Sequence, residues 1–168
     1  MPKLLASRLG EDTIEQFRAA ASIRYEDAWE LFRNGRGTAA IYLWGYVAEM
    51  TLKAAWFRLI GFGDTQAILA KDLRDAVHMA RTLHGIAWPQ AGQYHALFHW
   101  ARLLTEHRRH LRRTYADPAL GRSVLVHSQR VYERWRETLR YKRNRAYRFE
   151  VRTVAESTQW LLTNSPRL

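Results

Sequence analysis

Residues 139–149, LRYKRNRAYRF, place five cations (Arg140, Lys142, Arg143, Arg145 and Arg148) among three aromatic rings, Tyr141, Tyr147 and Phe149. Guanidinium forks match phosphate oxygens bidentately, and aromatic rings stack on unpaired bases, so this mixture suits a single-stranded polyanion. The rings could equally anchor the segment to the rest of the chain. Arginine stays protonated at neutral pH, so it can hold phosphate but is a poor proton shuttle. Proton transfer would call on histidine, and none follows His127. Two pairs elsewhere, Arg102 with His107 and Arg122 with His127, have four intervening residues. With 23 Arg and seven His in 168 positions, chance supplies about one such pair, so two carry little weight. His95 with His99, and His107 with His110, lie about one helical turn apart and would suit a divalent ion. A third ligand is not evident, since Glu106 falls on a different helical face from His107, and the expectation is no metal and no cofactor. The absence of cysteine excludes disulfides, thiolate metal sites and a cysteine nucleophile.

Charge is concentrated rather than spread. The net +11 is carried almost wholly by residues 102–148, where fourteen Lys and Arg face four Asp and Glu; residues 1–101 hold eleven against ten. A clustered basic excess is the footprint of a polyanion binder. Arg130 and Arg134, one turn apart, could extend the surface formed by Arg140, Lys142, Arg143, Arg145 and Arg148. A hydrophobic content of 47% with seven Trp argues for a packed core. At 168 residues the chain fits one domain. The opening MPKLLASRLGED is too weakly apolar for a secretory segment, and the uncharged run 37–48 is too short to span a bilayer. A cytoplasmic protein without membrane association is expected.

The elements that must position these groups are helices. Ile14, Phe17, Ala21, Tyr25, Ala28 and Phe32 form one stripe of a first helix, with Thr13 and Gln16 in capping-box register and Asn34-Gly35 as the stop. Residues 38–60 are apolar nearly all round and predict a central helix, within which Glu49 and Lys53 are spaced to pair. A weaker third helix is expected over 68–83. A fourth runs from Tyr94 to Leu111, a turn spans 115–121, and Val124, Ser128, Val131, Trp135 and Leu139 mark a fifth. A sixth occupies 153–163, with Thr153 and Glu156 in capping-box register. No segment alternates long enough to need a strand. The prediction is an all-α antiparallel up-and-down bundle of about five to six helices, with Trp135 and Trp160 in its core.

Within 24–59, Asp27-Ala28 is followed by Ala40, Tyr42, Leu43, Gly45, Tyr46, Glu49, Leu52, Lys53 and Ala54. This pattern resembles the opening helices of HEPN domains, the higher-eukaryote and prokaryote nucleotide-binding class. Trp135, the Leu-Arg-Tyr at 139–141 and the Trp-Leu at 160–161 resemble the family's C-terminal end. Gly45 inside an apolar helix permits close helix approach, at a cost of about 1 kcal/mol in propensity. Glu49 is either a buried acceptor that organises neighbouring Arg or Tyr side chains or a surface partner of Lys53. The resemblance implies a homodimer whose paired Arg–His motifs form a metal-independent ribonuclease site. In the motif positions Arg140, Arg145 and Tyr147, arginine stands where the histidine belongs; the alternative frame, Arg143 and Arg148, lacks it too. The expectation is RNA or other polyanion binding without ribonuclease activity. The alternatives are an active ribonuclease with an atypical Arg/His pair, and an interaction partner of a minimal nucleotidyltransferase, the family's tyrosine target matching Tyr147.

Overall fold

The computed structural model describes residues 11–90, 93–111 and 117–168. The opening segment and part of the basic region, 112–116, therefore lie outside the described residues. Among the described residues six α-helices are formed: α1 (Ile14–Arg33), α2 (Gly37–Leu59), α3 (Ala70–Thr82), α4 (Leu97–His110), α5 (Pro118–Arg134) and α6 (Arg148–Asn164). Short 3-10 turns occupy Gln93–His95, Glu137–Tyr141 and Ser165–Arg167. No strand occurs among the described residues; Asp12 and Ile68 make an isolated antiparallel bridge.

α2 is the central helix, packed by α1, α4, α5, α6 and the Glu137–Tyr141 turn. Its sequence requires this position, because a helix apolar on every side has no face to give to water. Trp44, Trp56, Trp100 and Trp135 are fully buried, and each such ring removes about 150–250 Å² from solvent. α1 starts where the Thr13 hydroxyl accepts from Gln16 N at 3.1 Å. It stops at Asn34, whose Nδ2 donates to Glu30 O at 2.8 Å. Gly35 then takes φ 72°, a left-handed conformation that lets the chain reverse into α2 within three residues.

Three boundaries differ most from the sequence reading. Asp117-Pro118 opens α5 instead of forming a turn: Asp117 Oδ1 accepts from Ala119 N at 2.8 Å. Proline at the first helical position forfeits only an amide that would be unpaired anyway. α5 ends at Arg134, not Leu139, because Trp135 leaves the helical path at φ −116° and ψ 139°. The Arg136 guanidinium donates back to the carbonyls of Tyr132 and Trp135, satisfying carbonyls at the end of the helix. α6 begins at Arg148, five residues early. Glu150 Oε2 accepts from Tyr147 N at 2.8 Å, so the capping pair is Tyr147–Glu150, while the Thr153 hydroxyl donates to Phe149 O inside the helix. At the start of α4 the difference is smaller: Tyr94 sits in the preceding 3-10 turn.

Candidate nucleic-acid interface

The connection between the Glu137–Tyr141 turn and α6 is pinned to the start of α2. Asn144 Oδ1 accepts from Thr38 N at 2.9 Å, and Asn144 Nδ2 donates to Gly35 O at 2.7 Å. The Thr38 hydroxyl accepts from Arg145 N at 2.8 Å and Ala146 N at 3.0 Å. Asn144 thus caps α2 from 106 residues away, filling the role that Arg36, at the N-cap, leaves open. These four hydrogen bonds fix the segment's backbone and leave its charged and aromatic side chains outside. Tyr141 is 73% exposed, Tyr147 69% and Phe149 62%, unusual values for rings of this size. Tyr147 and Phe149 are stacked in parallel, with centroids 6.0 Å apart and planes at 9°.

The seven cations do not form one row. Arg140 and Lys142 line an open groove of about 440 Å³ with Arg36, Thr38, Ala39, Tyr42, Leu139 and Asn144. Arg148 faces a second groove, of about 710 Å³, between α1 and α6, which Trp29 and Arg33 also line. Arg143 and Arg145 are exposed on the connection between them. Arg130 is exposed on α5. Arg134 is folded back, donating to Arg130 O at 3.0 Å and Glu133 at 3.2 Å. Arg140 lies over the Tyr141 ring, 4.8 Å from its centroid. The Tyr141 phenol is the main influence raising the Arg140 pKa, and hydrogen bonds to Tyr141 and Tyr42 add to it.

Below the first groove lies a polar line along α2. Glu49 is 3% exposed and accepts from Lys53 Nζ at 2.5 Å. His95 Nδ1 lies 3.1 Å from both Glu49 oxygens. Glu49 is thus buried, as in the first reading, but its hydrogen-bond partners are Lys53, as in the second, and His95, not an Arg or a Tyr. Tyr46 packs edge-on against His95, Trp135 and Tyr42, at centroid distances of 5.6, 5.3 and 5.0 Å. Burial first, then a hydrogen bond with Tyr42 and the negative charge of Glu49, push the Tyr46 phenol pKa well above its ordinary value; Arg140 opposes this. Gly45 leaves the space that Trp135 fills: a β-carbon there would stand 2.0 Å from Trp135 Cδ1. Trp135 Nε1 donates to Tyr42 O at 3.0 Å.

The other histidines are engaged elsewhere. His107 is buried, edge-on to Trp56, with its Nδ1 3.2 Å from His84 Nε2. His127 stacks on half-buried Trp160, with centroids 4.4 Å apart. His99 packs against Trp88 and Tyr132. Among the described residues, no group of three His, Asp or Glu is arranged to hold a metal ion.

Asn144, Thr38, Arg36, Tyr42, Tyr46 and His95 were missed by sequence reasoning as site residues. Tyr42, Tyr46, Glu49 and Lys53 step by four, three and four, a polar stripe on an apolar helix that could have exposed the line. Local spacing marked His95 only as a metal partner for His99, and nothing local marks Asn144; their actual partners are 46 and 106 residues away. Compared with known proteins, the chain matches no family model, no curated protein and no solved structure. No helix among the described residues is long and apolar enough to cross a membrane.

Proposed function

We propose that this protein binds single-stranded RNA through residues 139–149 and the grooves on either side of them. The observation that carries this reading is the rigid display of Tyr141, Tyr147 and Phe149, each more than 60% exposed, among five cations. Exposing such rings to water is unfavourable unless a partner covers them. Bases stack on rings while phosphates meet guanidinium groups, and a backbone already held by Asn144 and Thr38 loses little entropy on binding. Arg140, Lys142 and Arg36 supply one phosphate track, Arg143 and Arg145 the crossing, and Arg148 the entry to the second groove. Arg145 in the motif position serves as a phosphate ligand, not a proton donor or acceptor.

The test is a double substitution, Tyr147→Ala with Phe149→Ala, in a fluorescence anisotropy titration. Each lost stack is worth about 1–3 kcal/mol for a single strand. With two stacks lost, single-stranded RNA should therefore weaken at least about thirtyfold, while a duplex of the same length changes less than twofold. Equal changes for both would remove the stacking role. No RNA binding at low salt would leave the basic face to an acidic protein partner instead.

A further inference from the structure

Arg58 stands at the far end of α2 from Thr38, about 30 Å along the helix axis, and so well away from the connection that Thr38 anchors. There it lines a pocket of about 110 Å³ with Arg18 of α1. Ala21, Ala54, Ala55 and Leu162 supply an apolar wall, beside which charges interact more strongly than in open water. Both guanidinium groups are held in place: Arg18 Nη1 donates to Asp64 Oδ2 at 3.0 Å, and Arg58 Nη2 to Ser165 O at 2.9 Å. Each keeps further donors, because a guanidinium carries five N–H bonds. Arg18 Nη2 is buried and meets no hydrogen-bond partner among the described residues, a costly state that an anion relieves. The two cations also act on each other. Burial first, then the Arg18 charge, push the Arg58 pKa below its ordinary value; Asp64 opposes this and Arg108 adds to it. Among the described residues Asp64 is the one carboxylate that bonds either guanidinium, so the pair keeps an excess of positive charge.

We infer that Arg18 and Arg58 form a binding site for a phosphate group, carried by inorganic phosphate or by the end of a small phosphate monoester. The site is separate from residues 139–149 and stands without the RNA-binding reading. Its volume is well below the about 300 Å³ at which pockets for drug-sized ligands begin, so it takes a small oxyanion or an end group and not a nucleoside. A carboxylate presents two oxygens and suits one guanidinium fork. A phosphate presents enough oxygens for two forks, and its dianionic charge matches two guanidinium groups. The arginines are the donors of the site, since the neighbouring hydroxyl protons are already used. Thr51 Oγ1 donates to Val47 O at 2.8 Å, and Ser22 Oγ to Arg18 O at 3.2 Å.

The experiment titrates inorganic phosphate into the ¹⁵N-labelled full chain at fixed ionic strength, followed by amide NMR shifts. The amides of Ala21, Ala55 and Leu162 should shift and saturate. Arg18→Gln and Arg58→Gln should each weaken the fitted dissociation constant at least about tenfold, the scale of one lost charged hydrogen bond. Arg143→Ala with Arg145→Ala should change it less than about twofold, because those residues lie at the other end of α2, and acetate should bind at least about tenfold more weakly than phosphate. Methyl phosphate separates the two sources: binding as tight as phosphate assigns the end of a monoester, and weaker binding assigns the free ion. Should Arg58→Gln fail to fold, Arg18→Gln, whose side chain is 37% exposed, decides alone. Shifts that do not saturate, shifts confined to residues 139–149, acetate binding as tight as phosphate, or a constant unchanged in Arg18→Gln would each overturn the inference.

Discussion

A methyl group at position 45 would have to occupy the place of the Trp135 indole, 2.0 Å from its Cδ1. Gly45→Ala gains about 1 kcal/mol of helix propensity but ejects a fully buried ring, a change on the scale of about 3–5 kcal/mol. A net loss of at least about 2 kcal/mol is expected, read as a lower midpoint in urea unfolding with unchanged slope; an unchanged midpoint would mean Trp135 does not seat on Gly45. The need for a small residue at 45 was legible in the sequence, as was the pairing of Glu49 with Lys53. That Trp135 is the ring filling the space was not, because it leaves α5 just before making the contact. The contact between His95 and Glu49 was not legible either. His95 sits in a three-residue turn without periodicity, and only folding brings it to Glu49.

Helix number and the central place of α2 followed from apolar spacing, which long helices display over several turns. Helix ends were harder, because one hydrogen bond decides each. Asp117-Pro118 reads equally as a turn or a helix start until Asp117 is seen capping Ala119. Leu139 keeps the stripe of α5 in sequence, although the helix has already ended. The packing of the helices also sets a pH response. Burial is the first cause depressing the pKa of His84, His99, His107 and His127, with neighbouring positive charge second: His110, Arg102, His84 and Arg130 respectively. The unfolded chain therefore takes up protons first, near the ordinary histidine value of about 6.5. Stability from these groups is complete above that value and is lost as pH falls through it, since the unfolded state binds more protons. The melting temperature should be flat between about pH 7 and 8 and fall steadily from about pH 6.5 to 5, above the range where most carboxylates titrate. A flat profile down to pH 5 would show that these rings are solvated in the folded protein.

At the scale of the whole molecule, the basic excess and the α-helical bundle are two separate results of the sequence. The apolar stripes build the bundle, and none of the described cations of 102–148 is buried in its core. Their division between two grooves joined by the Asn144-anchored connection could not be read from the sequence, since it depends on which way a short loop is tied down. If this surface holds phosphates, its affinity comes mainly from counterion release and falls steeply with salt. The most direct measurement is the salt dependence of binding to an unstructured single-stranded RNA, from about 50 to 200 mM. Three proteins are compared: wild type, Arg143→Ala with Arg145→Ala, and Lys71→Ala with Arg74→Ala on α3, which removes the same charge elsewhere. The first pair should lose at least tenfold in affinity at low salt, about 1.4 kcal/mol, and flatten the salt slope by up to about two units. The α3 pair should lose less than threefold. Equal losses from both pairs would contradict the account, because net charge alone would then explain binding and residues 139–149 would hold no specific grip.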